Sequence, residues 1–235
     1  IPNIESADLR VLGSAAIQAL STAQVDALSS AQLVALATQQ IAALTTQQIA
    51  NLTSDDFGAF ETRQLATLGA AQAPGLTGAQ LGALGSADVR ALGTALLAVL
   101  SSAQFDALAT QQLAALTTSQ ITSLSAVELA TLDNADLDAL STAQIAALTS
   151  SQTGALSTAQ LAHLGSSDLT AFTAAAISGL TTQQIVDLST AQFAALTSVQ
   201  ATGLTTDQIG AIESADLRAM SSAALRALSS DQLGA

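Results

Sequence analysis

His163 is the only imidazole in this 235-residue sequence. With no cysteine and no second histidine beside it, a zinc site of ordinary type cannot be assembled. Serines and threonines are abundant, but a hydroxyl becomes a nucleophile only beside a base that a third group orients. A single histidine at the tail of a repeated unit does not meet that need and reads as surface. The run Leu132–Asp138, Leu-Asp-Asn-Ala-Asp-Leu-Asp, carries Asp133, Asp136 and Asp138 and resembles a calcium loop only in being acidic. It lacks the central glycine and the terminal bidentate glutamate of a helix–loop–helix site, so it reads as a solvated polar face, as does Asp55–Asp56. The glycines fall singly at unit edges, where helix ends favour them, and nowhere form a phosphate-cradling loop. Asp8 with Arg10 and Asp216 with Arg218 read as surface ion pairs between neighbouring units, worth little alone. Rows of threonine could suggest ice binding, but serine and threonine interchange freely at their places. The expectation is therefore no catalytic, cofactor, metal or small-molecule site, and no enzyme.

What must position any side chain is an octapeptide. Starting at Ile4 and stepping by eight to Leu228, 29 successive positions are large and apolar, 24 of them leucine, without an insertion or deletion. The exceptions are Ile4, Phe60, Phe172, Ile212 and Met220. The sixth place is nearly as strict, from Leu9, Ile17 and Val25 onward, and only Ala73, Thr153 and Ala201 break it. The second place is usually Ser or Thr and the fifth usually Gln. That spacing is a capping box, in which the hydroxyl accepts the N–H three residues on and the glutamine returns to the N–H of the cap. Places one and six then form a hydrophobic staple around the helix start. Each octad thus carries a complete helix-start signal and should be about one and a half turns long, ending near the next leucine.

Two other readings compete with short helices. In one continuous helix, successive leucines would sit about 80° apart and the apolar stripe would wind around the axis. In a strand, places one and six point to opposite faces; a β-solenoid with a bend in each octad could bury both, but units rich in alanine and poor in valine disfavour it. The expected fold is all-α, a superhelical solenoid of tandem eight-residue short-helix repeats, with the β-solenoid as alternative. A lone octad cannot offset the entropy of ordering its backbone with two apolar side chains. Stability must come from stacking on neighbouring units. Alanines at the fourth and eighth places should allow close approach, with Leu and Ile inside and Ser, Thr and Gln on the surface.

A second period lies over the first. Aspartate replaces glutamine at the fifth place at Asp8, Asp56, Asp88, Asp136, Asp168 and Asp216, at intervals of 48, 32, 48, 32 and 48 residues. The plainer reading is duplication of an 80-residue block, aspartate serving as an equally good acid near a helix N-terminus. The sharper one places these octads on a single stripe that makes a lateral contact. The octad 68–75, with Gly69, Ala73, Pro74 and Gly75, should be a shortened helix or slight bend, because Pro74 cannot donate a helical hydrogen bond. Pro2 sits where an N-terminal approach tolerates it.

The chain reads as one solenoid over residues 1–235. Its net charge of −13, with only five arginines and no lysine, opposes binding to nucleic acid and to anionic membrane surfaces. No apolar run is long enough to insert in a membrane, and no signal peptide is evident. The sequence opens in register by Ile4 and stops on a unit boundary, so both ends read as cuts through a longer array. The run 140–152, Leu-Ser-Thr-Ala-Gln-Ile-Ala-Ala-Leu-Thr-Ser-Ser-Gln, resembles the short Leu/Ser/Thr/Gln tandem tracts of very large bacterial surface proteins of the adhesin or haemagglutinin type. That resemblance implies secretion, an extended extracellular fibre or stalk, self-association into fibres, and no catalytic residues. The runner-up is a repeat scaffold that binds a protein partner along the Asp-marked stripe.

Overall fold

The computed structural model describes residues 4–234; Pro2 lies outside them. The chain, expected to be one solenoid, divides into two compact units, Ile1–Leu124 and Ser125–Ala235, and the same rules build each. Within both, short helices of four to six residues begin once per octad, as in Ser14–Gln18, Thr22–Asp26 and Ser30–Ala35. The described residues contain no strand and no uninterrupted long helix, so the fold is the all-α repeat and neither alternative.

The local cause is the capping box. Ser21 Oγ accepts the Gln24 N–H at 3.2 Å while Gln24 Oε1 accepts the Ser21 N–H at 2.8 Å, and Thr45 with Gln48 repeats the pair. The helix stops because the next leucine turns extended: Leu36 has φ −60° and ψ 138°, and Leu52 −67° and 139°. That residue is the N′ position of the following box, so each stop is also the next start.

Stacking follows a three-octad rule. Ser6–Arg10 packs on Ser30–Ala35, Ser14–Gln18 on Thr38–Ala43 and Thr22–Asp26 on Thr46–Asn51. In the second unit Ser150–Ala155 packs on Ala174–Ser178 in the same way. Three octads, or 24 residues, therefore complete one coil. First- and sixth-place side chains such as Leu36, Ile41, Leu44 and Ile49 are buried along its inside. The close approach expected of small residues lies at the eighth place, between coils. A Cβ on Gly75 would sit 2.3 Å from the Thr46 carbonyl oxygen, and one on Gly179 2.1 Å from that of Ser150. Pro74 lies in a 3-10 helix, Ala70–Gly75, and the register resumes at Leu76, as expected of a locally altered helix.

Most fifth-place glutamines overturn one expectation: they are interior, not surface, with Gln24 an exposed exception. Gln40, Gln48, Gln80 and Gln112 are all buried. Each Oε1 closes its own cap, and each Nε2 crosses to the preceding coil. Gln48 Nε2 donates to the carbonyls of Ile17 and Leu20, both at 2.8 Å, and Gln80 Nε2 to those of Ile49 and Leu52 at 2.7 and 2.8 Å. A helix this short leaves most of its carbonyls without an intrahelical donor, and a buried carbonyl must find one. The amide supplies it.

Candidate functional site

The positions singled out in the sequence resolve into structural roles. Asp56 lies in a helix capped by Thr53, whose Oγ1 accepts the Asp56 N–H at 3.1 Å, and its carboxylate accepts Ser30 Oγ–H from the neighbouring coil at 3.0 Å. Asp216, itself buried, accepts the Thr190 hydroxyl at 2.6 Å across the same three-octad step. Asp88 accepts the Gly85 N–H at 3.2 Å, and Asp136 is both capped by Asp133 and half-buried. Asp168 is half-buried and Asp8 exposed. Asp56 and Asp216 thus accept a hydroxyl across the three-octad step where glutamine would donate its amide.

The single-stripe reading is corrected by the coil. With 24 residues per turn, an interval of 48 residues returns to the same column, while 32 moves on by one octad. In the first unit Asp8 and Asp56 share a column and Asp88 occupies the next. In the second unit Asp168 and Asp216 share one, with Asp136 apart. Within neither unit do the marked octads line one face.

The expected ion pairs of Asp8 with Arg10 and of Asp216 with Arg218 do not form. The ion pairs found among the described residues are Arg63–Glu61, which joins a first-turn residue to its own N-cap, and His163–Asp138. His163 is only partly exposed: Nε2 lies 2.9 Å from Asp138 Oδ1 on the helix three octads earlier. No group of three or more histidine, cysteine or acidic residues among the described ones is placed to hold a metal. No described helix is long and apolar enough to cross a membrane. None of the described glycines adopts a positive φ; they stand at caps such as Gly13 and Gly85 or at close approaches such as Gly179, not at left-handed helix ends.

The residue that sequence reading passed over is Glu128. It fills the fifth place, is buried, and carries one side-chain oxygen with no hydrogen-bond partner. Burial pushes its carboxyl above the ordinary value, against smaller opposing effects of the hydrogen bonds from the Ser125 backbone and hydroxyl. A signal did exist. Capping alone accepts Glu as readily as Gln, yet 18 of 29 fifth places are Gln and only one is Glu, a bias that points to a required donor.

These features define a helical repeat protein, a solenoid-like array of tandem octads whose polar side chains complete its own backbone. The chain belongs to the ALTTAQ repeat family, whose model matches residues 1–38, 26–54, 81–118, 129–166, 161–198 and 209–235. Comparison with curated proteins returned no match.

Proposed function

We propose that this chain is a structural protein, a length of an extended extracellular fibre or stalk at a bacterial surface, in which octad number sets reach and stacked coils set stiffness. The supporting observation is the unbroken octad register through 29 units, combined with a three-octad stacking rule that any further octad can extend. A repeat array of this kind has no natural size limit, because each coil needs only its neighbours. Fifth-place side chains such as Gln48 and Gln80 are engaged in caps and coil-to-coil bridges, which fits a mechanical role. The adhesin-type setting rests on the resemblance of residues 140–152 to bacterial surface-protein tracts, and the expected partners are further copies of the same array.

Electron microscopy tests this on the native source and on chains carrying one, two or three copies of residues 4–234. Thin particles whose length grows in proportion to octad number are expected, and surface labelling of intact cells should find them outside. Compact particles whose diameter grows only as the cube root of chain length would overturn the fibre. Labelling only after cell lysis would overturn the surface location.

A further inference from the structure

In octads such as those of Gln48, Gln80 and Gln192, the outer side-chain atom at the fifth place is an amide nitrogen that donates to two carbonyls. Gln160 Nε2 likewise reaches the carbonyls of Leu129 and Leu132 at 3.1 and 2.8 Å. Glu128 keeps the inner half of this arrangement: Oε2 accepts the Ser125 N–H at 2.5 Å, and the Glu128 N–H donates to Ser125 Oγ at 3.2 Å. Its outer atom, Oε1, is buried and unpartnered, in a side chain only 1% exposed. An ionised carboxylate can only accept, whereas the neutral acid has one O–H to donate.

We propose that Glu128 is held as the neutral acid in the folded chain, and that loss of this proton is a switch that loosens residues 125–131. The alternative leaves a bare charge in a buried place without a donor on its outer oxygen, which is costly. No other charged side chain lies on its own helix, Ala126–Ala130, or on Ser150–Ala155, which packs against it. The nearest acids along the chain, Asp133 and Asp136, are engaged in capping the next helix. Desolvation is accordingly the largest influence on the carboxyl and raises its pKa.

The sign follows from proton linkage. A raised folded-state pKa means that opening releases a proton once the pH exceeds the ordinary value of 4.5. The stabilisation is complete below that value and is lost as pH rises through the folded-state pKa. Between the two, the opening constant of this octad rises about tenfold per pH unit.

The test compares the full chain with Glu128→Gln by amide hydrogen exchange from about pH 4 to about pH 8, read as opening constants for residues 125–132. All other acids are common to both proteins and cancel in the ratio. The ratio of parent to variant opening should be near one at the acid end and climb with pH, while amides near Ile41 show no trend. A ratio constant across the range overturns the switch. As an independent readout, the Glu128 carboxyl carbon should titrate above 4.5 by NMR; titration at or below that value would equally overturn it.

Discussion

Replacing Gln112 by alanine isolates what the fifth-place amide contributes. Ala109, at the cap, has no hydroxyl, so Gln112 Oε1 is the side-chain acceptor of its N–H, at 2.6 Å. Nε2 donates to the Leu81 and Leu84 carbonyls at 2.9 and 2.6 Å. On truncation the Leu81 carbonyl keeps the Leu84 N–H at 3.2 Å, but the Leu84 carbonyl loses this donor where Leu84 is buried. An orphaned buried carbonyl costs about 1–3 kcal/mol and each other lost bond about 1 kcal/mol, so about 2–5 kcal/mol in all. The neighbouring Gln111 is exposed, and Gln111→Ala should stay within about 0.5 kcal/mol. Urea unfolding gives the difference between the two variants. Hydrogen exchange should place the loss of protection at 108–115 and at the coil that includes Leu84, because repeat arrays open locally. Equal small costs for both variants would refute the bridging role and leave the amide a simple cap.

Other substitutions separate the remaining forces. Leu116→Asp puts a charge at a buried first-place position and should cost several kcal/mol locally, whereas Thr117→Ala removes only a cap to Gln120 and should cost about 1 kcal/mol; thermal unfolding of the pair checks this. Gly179→Ala forces a Cβ against the Ser150 carbonyl and should cost about 1–3 kcal/mol or more, while Gly13→Ser, with open space around its Cβ, should gain a few tenths. Gln112→Glu should import the Glu128 behaviour, losing stability as pH rises relative to its parent protein, which denaturation at about pH 4 and about pH 8 would reveal.

The octad period, the capping box and the two buried places were legible in the sequence because each is written within eight residues. Ser21 and Gln24 meet inside one unit, so their spacing alone dictates a helix start, and Leu36 alternates between ending one helix and seating the next. Pro74 announced its altered turn for the same reason, since its missing N–H is a property of the residue itself. The coil count was not legible, because nothing within an octad states how many octads close a turn; that depends on how neighbouring coils stack. Once three octads make the turn, intervals of 32 residues leave the column, and the aspartates divide between faces. Gln48 shows the same limit: its cap to Thr45 is local, but its bonds to Ile17 and Leu20 reach 31 and 28 residues back. Local chemistry made the helices, and the need of their short ends for hydrogen-bond donors from another coil decided which polar side chains went inside.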